Sequence, residues 1–134
     1  MATTAGYSGR PLADKLGIRP GLTVYVDAPG GEAERLDLGG APYTTRLPKQ
    51  ADIILTFCTD KARLRKQLPT MVERIVVNGM IWVCWPKKAG GVPTDLTENV
   101  VRDTGLAAGV VDVKVAAVDD TWSGLKFVRR LADR

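Results

Sequence analysis

The chain has 134 residues, a formal net charge of +4 and 25% charged residues, values that are typical of one soluble globular domain. It contains no histidine, which excludes Ser-His-Asp and Cys-His catalysis, histidine proton transfer and histidine metal ligands within this chain. The modest positive charge favours anionic partners and does not by itself indicate nucleic acid. We expect a single domain over residues 1–134, with residues 1–10 as a loose lead-in.

Cys58 and Cys84 each lie inside an apolar run, without neighbouring metal ligands in the sequence. This pattern predicts two buried free thiols in a reducing compartment and no metal site. The alternative is a redox pair, which requires that the strands carrying the two cysteines be adjacent. The segment "MATTAGYSGRPLADK" lacks a basic start followed by an apolar core, and no apolar run has spanning length. We therefore expect a cytoplasmic protein without a membrane partner.

The first third of the chain predicts a short helix, a strand and an irregular stretch. "RPLADKLG" is typical of a helix with Pro11 in its first turn and Gly17 after its end. Alternating apolar residues predict a first strand over residues 22–26, which leads into the turn "VDAPGGE". We expect a short helix over residues 32–38 and a short edge strand over residues 43–46.

A continuous apolar run, "ADIILTFC", predicts a strand that is buried on both faces. The helix predicted next begins at Thr59 or Asp60 as its cap and ends at Asn78-Gly79. Its apolar stripe recurs with a period of 3.6 residues. The stripe consists of Leu64, Leu68, Met71, Val72, Ile75 and Val76. Pro69 predicts a kink or a split into two pieces. The basic side chains off the stripe are Lys61, Arg63, Arg65 and Lys66, which we interpret as a solvated face.

The second half of the chain predicts three strands and one helix. "MIWVCW" is a further buried strand, and the acid-x-x-Glu pattern of Asp95 and Glu98 predicts a capping box for a helix that ends at Gly109. "VVDVKVAAV" and "LKFVRR" predict two strands that are joined by the turn "DDTWSG", with Leu131 on the core side.

Strands that alternate with helices indicate parallel strands joined by right-handed crossovers. The two last strands are joined by a short turn, which indicates an antiparallel hairpin. The sequence therefore predicts a three-layer α/β sandwich. Its sheet is Rossmann-like, mostly parallel, and ends in an antiparallel hairpin.

This order of elements resembles the core of the class I S-adenosylmethionine-dependent methyltransferases. Those enzymes carry an acid-x-G-x-G-x-G loop after the first strand. In "VDAPGGE", Asp27 corresponds to the acid, and Gly30 and Gly31 are the glycines present. The resemblance implies S-adenosylmethionine as a cofactor. It also implies an acidic residue that holds the ribose after a second strand, and "GGAPYTTRLPKQ" has no clear counterpart for it.

Three longer segments resemble a family of short bacterial proteins, the domain of unknown function three thousand and fifty-two. The segments are "AGYSGRPLADKLGI", "WVCWPKKAGGVPTDLTENVVR" and "GVVDVKVAAVDDTWSGLKFVRR". The resemblance implies a Rossmann-like domain and brings no activity with it.

Ligands of open α/β sheets bind beyond the carboxyl ends of the strands. Three loops are predicted to meet there, at residues 27–31, 58–60 and 85–91, and residues 119–122 join them if the hairpin turns at that end. The candidate ligand-binding residues in these loops are Asp27, Gly30, Gly31, Thr59, Asp60, Trp85, Lys87, Lys88 and Trp122. No catalytic residue is assigned.

Three of the candidate loops have both a functional and a structural interpretation. Lys87 and Lys88 either hold an anion, with Trp85 stacked on a ring, or lie in a plain joint between a strand and a helix. The loop at residues 27–31 either brings backbone amides to a phosphate or is only a tight turn. Asp119 and Asp120 either perform acid–base chemistry or bind Mg²⁺, or else belong to an ordinary turn.

Three functions follow from these interpretations. The first is a non-catalytic methyltransferase-like domain that binds a small anionic or nucleotide-like ligand or a protein partner. The alternative is an active S-adenosylmethionine-dependent methyltransferase. The third is a nucleic-acid-associated module that uses Lys87, Lys88 and the basic helix. The basic side chains of that helix either remain a solvated face or form a basic patch with Arg129, Arg130 and Arg134.

Overall fold

A computed structural model describes residues 11–134; the predicted lead-in over residues 1–10 lies outside them. The helices are α1 (Leu12–Leu16), α2 (Lys61–Arg74) and α3 (Glu98–Ala108). The strands are β1 (Val24–Asp27), β2 (Ala51–Phe57), β3 (Ile75–Pro86), β4 (Val110–Ala117) and β5 (Trp122–Arg129). Short 3₁₀ helices cover Glu32–Arg35, Lys88–Gly90 and Leu131–Asp133. No helix in this part of the chain has the length and apolarity needed to cross a bilayer.

The five strands form one mixed sheet in the order β1-β2-β3-β5-β4. β1, β2 and β3 are parallel to one another, and β5 lies antiparallel between β3 and β4. The last strand of the chain, β5, is therefore internal, and β4 is an edge strand. Accordingly, Leu125 and Phe127 of β5 are fully buried, whereas Val113 and Val115 of β4 are about half exposed. This arrangement confirms the predicted α/β, Rossmann-like sheet with its antiparallel hairpin.

Helices cover both faces of the sheet, which confirms the three layers. On one face, α2 and α3 pack over a cluster that includes Ile54, Ile81 and Phe127. On the other face, α1 packs over a cluster that includes Trp82, whose indole Nε1 donates to the Leu16 carbonyl at 3.0 Å. Gly17 ends α1 at a φ of 82°, a backbone conformation that glycine adopts without strain.

The boundary between α2 and β3 differs from the prediction. α2 ends at Arg74, and Ile75 already pairs with Ala51 in the sheet, so Asn78-Gly79 lies within β3. The run of β-branched residues after Arg74 favours a strand, although the apolar stripe continues at helical spacing. Arg129 supports the early end of α2, because its Nη2 donates to the carbonyls of Val72 at 2.9 Å and Ile75 at 2.6 Å.

The helix ends show further differences. α2 runs through Pro69 as one helix, so the split, one of the two predicted alternatives, is wrong. Pro69 and Arg65 are both exposed, and water can replace the amide donor that proline lacks. α3 begins at Glu98 with Thr97 as its cap, and the Thr97 hydroxyl accepts from the Val100 amide at 3.2 Å. The predicted capping box starting at Asp95 is therefore wrong.

Two predicted elements shrink and one predicted core residue is exposed. The helix expected over residues 32–38 is a 3₁₀ helix over Glu32–Arg35, and the edge strand over residues 43–46 is a single bridge from Thr44 to Tyr25. Leu131, expected in the core, is 80% exposed and lies in the last 3₁₀ helix. Residues 32–38 lack a helical apolar pattern, and residues 43–46 lack an alternating one, that would support a full helix or strand.

Candidate functional site

The four candidate loops meet at the end of the sheet where the parallel strands β1, β2 and β3 have their carboxyl ends. The strand register places Asp27 beside Thr56, and Phe57 beside Cys84. It also places Pro86 beside Trp122, so the turn between β4 and β5 lies at the same edge. The four predicted loops therefore lie at the same end of the sheet.

Asp27, at the end of β1, is held by an arginine from α2. Arg63 Nη2 lies 3.0 and 2.9 Å from the two carboxylate oxygens of Asp27, and the Thr56 hydroxyl donates to the same carboxylate at 2.8 Å. Arg63 Nη1 also donates to the Phe57 carbonyl at 3.2 Å and contacts the Cys58 Sγ at 3.1 Å. The prediction that Arg63 belongs to a solvated face is wrong, because its guanidinium binds Asp27 and Phe57 at the ends of β1 and β2.

The backbone amides of the glycine loop have acceptors within the loop itself. The Gly30 amide donates to the Glu32 carboxylate at 3.0 Å, and the Gly31 amide donates to the Ala28 carbonyl at 3.1 Å. Gly31 has a φ of 79°, which requires glycine. These contacts fit the interpretation of residues 27–31 as a tight turn.

The loop after β2 serves the start of α2. The Asp60 carboxylate accepts from an amide of the first turn at 3.1 Å, and the Asp95 carboxylate accepts from the Lys61 amide at 2.8 Å. The Thr59 carbonyl accepts from the Thr94 hydroxyl at 2.6 Å, which joins this loop to the segment before α3. Thr59 and Asp60 thus each have a structural partner. Asp95 caps α2, whereas the sequence predicted that it caps α3.

The turn between β4 and β5 is an aspartate-capped turn. The Asp119 carboxylate accepts from the amides of Thr121 and Trp122, both at 2.8 Å. Trp122 is 6% exposed and packs edge-on against Phe57, with ring centroids 5.1 Å apart. Both residues therefore fit the structural interpretation better than acid–base chemistry or ring stacking with a ligand.

A cleft of about 440 Å³ lies between the end of β3 and the start of α3, and we call it the β3–α3 cleft. Its walls join an apolar group to a polar group. The apolar lining residues are Trp85, Pro86, Val92, Pro93 and Leu96. The polar lining residues are Lys87, Lys88, Thr94, Thr97 and Glu98. Three predicted residues, Trp85, Lys87 and Lys88, thus line one cavity. The other lining residues were not predicted, because the return of segment 92–98 toward β3 arises only in the tertiary structure.

The charge balance of the β3–α3 cleft favours an anion. Among residues 11–134, no carboxylate lies within ion-pair distance of Lys87 or Lys88. The carboxylate in the cleft, Glu98, pairs with Arg102 Nη2 at 2.6 Å, and Arg102 Nε also pairs with Asp112 at 2.9 Å. The two lysines of the cleft outnumber its one carboxylate. The start of α3 also lines the cleft, and the amino end of a helix carries partial positive charge.

Cys84 lies in β3 and Cys58 directly follows β2, the neighbouring strand, with the two side chains on opposite faces of the sheet. The Cys58 amide donates to the Cys84 carbonyl at 2.9 Å, but the side chains belong to the two different core clusters. Both thiols are free and buried, as predicted. Burial raises the pKa of the Cys84 thiol, and burial likewise raises the pKa of Cys58 against the opposing hydrogen bond from Thr56.

We expect the two buried thiols to make the stability of the protein depend on pH. Because the pKa of each thiol is raised on folding, the native state holds protons that the unfolded state loses above about pH 8.5. Stability should therefore fall as pH rises through that value, and Cys84→Ala should weaken this dependence.

We also expect both thiols to resist alkylation in the native protein. Mass spectrometry after iodoacetamide treatment at pH 8 should show no label without denaturant and two labels in urea. Rapid native labelling of Cys58 would contradict the burial.

The basic patch hypothesised from α2 together with the C-terminal arginines does not form. Arg129 pairs with Val110 at the start of β4, at the sheet end opposite to the candidate loops. Arg130 Nη2 donates to the Leu106 carbonyl at 3.0 Å, near the C-terminal end of α3. Lys61, by contrast, lies at the start of α2, beside Asp95. The chain thus separates the two groups of cations.

No family model matches the chain, and no curated protein matches its sequence. The resemblance to the domain of unknown function three thousand and fifty-two therefore stays a prediction. Solved structures do match. One is the precorrin-6y C5,15-methyltransferase of Geobacter metallireducens GS-15, with a TM-score of 0.62 and 8% identity over 89% of this chain and 86% of that chain.

Two further matches are of the same kind. The ribosomal protein L11 methylase of Lactobacillus delbrueckii subsp. bulgaricus has a TM-score of 0.59 and 12% identity over 89% of this chain and 75% of that chain. The magnesium protoporphyrin IX methyltransferase of Synechocystis PCC 6803, with bound SAH, has a TM-score of 0.56 and 10% identity over 81% of this chain and 74% of that chain. At such identities the likeness concerns the fold alone, and that fold is a Rossmann-like methyltransferase core.

Proposed function

We propose that this chain is a non-catalytic methyltransferase-like domain that binds a small anionic ligand in the β3–α3 cleft. The observation that carries the proposal is the position of Lys87 and Lys88, which have no ion-pair partner in the described chain, on a walled cavity of about 440 Å³. An anion bound there would meet two ammonium groups and the amino end of α3.

The expected affinity is modest and depends on salt. Lys88 is exposed and Lys87 is partly exposed, so each ion pair with a ligand contributes about 1 kcal/mol or less. Screening at physiological ionic strength weakens such contacts further. We therefore expect binding of inorganic phosphate alone in the range of about 1 mM.

The end of β1 supports the non-catalytic assignment. S-adenosylmethionine, the cofactor that the fold resemblance implies, would need a free acid and free amides at residues 27–31. Asp27 is instead paired with Arg63, and the amides of Gly30 and Gly31 are used within their own turn. The Glu32 carboxylate also lies over this turn, since a Cβ on Gly30 would fall 2.4 Å from its oxygen. These residues do not fit that cofactor in this arrangement.

Titration of the protein with sodium phosphate, followed by calorimetry and by the melting temperature, tests the proposal. Phosphate should raise the melting temperature, because it binds only the native state. Lys87→Ala/Lys88→Ala should weaken phosphate binding about tenfold, whereas Lys49→Ala/Lys66→Ala should not change it. The control pair removes the same charge from exposed positions outside the cleft.

Two results would contradict the proposal. The first is equal phosphate binding by the two double variants, which would show that Lys87 and Lys88 are not involved. The second is a clear rise in the melting temperature with millimolar S-adenosylmethionine or S-adenosylhomocysteine, which would favour the active methyltransferase instead.

A further inference from the structure

The β3–α3 cleft has a larger apolar wall than a bare phosphate ion needs. Five apolar side chains line it, and they face the same cavity as Lys87 and Lys88. We infer that the ligand is an aromatic ring that bears one anionic group, with the ring on the apolar wall at Val92, Pro93 and the exposed edge of Trp85, and the anion at the two lysines. This inference rests on the proposed function, because it assigns the chemical class of the ligand for the same cleft.

Trp85 contributes a rigid edge to the apolar wall. The residue is 6% exposed and belongs to the core cluster under α2 and α3, and its backbone pairs with Ser123 in the sheet. The small part that remains exposed lines the cleft. Because the sheet and the core already hold Trp85 in place, contact of a ring with this edge costs little conformational entropy.

The other apolar lining residues of the cleft are also held in place. Pro86 and Pro93 have fixed backbone φ angles, and Leu96 is 3% exposed and packs in the same cluster as Trp85. Val92 is only partly buried, so a ligand can cover it further. A flat ring buries such surfaces more completely than a hydrated ion does.

The size and charge of the cleft set the scale of the ligand. A volume of about 440 Å³ lies at the lower end of the range for small-molecule sites. Two adjacent lysines suit one phosphate or carboxylate group, and they outnumber Glu98, whose partner Arg102 also pairs with Asp112. A ring with one anionic group, of the size of an aryl phosphate or a nucleoside monophosphate, satisfies both limits.

Phenyl phosphate and methyl phosphate separate the role of the ring from that of the anion, because the two esters carry the same charged group. We expect phenyl phosphate to bind about tenfold more tightly than methyl phosphate in calorimetric titrations. It should also shift the indole N–H resonance of Trp85, assigned by loss of that signal in Trp85→Phe. The indole resonances of Trp82 and Trp122 should move less, since neither residue lines the cleft.

Variants test the apolar wall without disturbing the core. Val92→Ser should reduce the preference for phenyl phosphate over methyl phosphate several-fold. Val113→Ser is the matched control, because Val113 is 53% exposed on β4 and lies outside the cleft. Lys87→Ala/Lys88→Ala should weaken the binding of both esters.

The possible outcomes distinguish the two proposals. Equal binding of both esters, with dependence on the lysines, would overturn the inference about the ring and leave the anion site standing. Binding of neither ester, or binding that ignores the lysine variants, would overturn both. A ring preference that Val92→Ser and Val113→Ser reduce equally would place the ring elsewhere and overturn the inference.

Discussion

Replacement of Arg63 by methionine is expected to lower the free energy of unfolding by about 2 kcal/mol. The substitution removes the guanidinium that contacts both oxygens of Asp27 and leaves that carboxylate, whose side chain is 13% exposed, with the Thr56 hydroxyl as its remaining side-chain partner. The expected cost is below that of a fully buried pair, because the Arg63 side chain is 30% exposed to water. Urea unfolding curves of the two proteins measure it.

Arg65→Met is the matched control for Arg63→Met. Arg65 lies on the same helix and is exposed, and it forms no ion pair within residues 11–134, so its loss should change stability by less than about 0.5 kcal/mol. Asp27→Asn should also be destabilising, and the double variant should be less destabilised than the sum of the single ones. Equal effects of the two arginine substitutions would refute the assignment of Arg63 to the end of the sheet.

We expect Gly105→Ala to be strongly destabilising, by about 3 kcal/mol, although alanine is favoured over glycine inside a helix by about 1 kcal/mol. A Cβ at this position of α3 would lie 2.1 Å from Cε1 of Phe127. Phe127 is fully buried in β5 and its ring is surrounded by the core, so it cannot move away without displacing other side chains. Thermal or urea unfolding of the variant would measure the loss.

A second-site variant shows whether the clash is the cause. Phe127→Leu creates space beside α3, so the destabilisation by Gly105→Ala should be smaller in the Phe127→Leu background than in the native one. If Gly105→Ala instead stabilises the protein, as its helix propensity alone predicts, then α3 does not approach β5 as closely as the structure shows.

Local sequence patterns were sufficient for most of the elements. The continuous apolar run "ADIILTFC" predicted β2, because a strand buried on both faces has no polar alternation. Gly109 predicted the end of α3, since a left-handed residue there favours glycine. The boundary at Ile75 was not predictable in the same way, because the helical period and the preference of β-branched residues for strands overlap there.

The candidate site divides along the same line. Trp85, Lys87 and Lys88 were recognised because they are neighbours at the end of one predicted strand. The remaining lining residues of the cleft, such as Val92 and Thr97, come from a segment whose return toward β3 no local pattern specifies. Trp122 resembled a ligand-stacking residue in the sequence, and only its contact with Phe57 shows that it packs in the core.

The amino-acid sequence alone determined the order of helices and strands and the edge of the sheet at which their loops meet, because periodicity and turn residues act over a few neighbouring positions. Only the tertiary structure decided which polar groups at that edge are already engaged. Arg63 pairs with Asp27 across 36 positions, whereas Lys87 and Lys88 have no such ion pair within the described chain. Pairing of charges depends on distance in space, and the spacing of residues along a chain does not specify that distance.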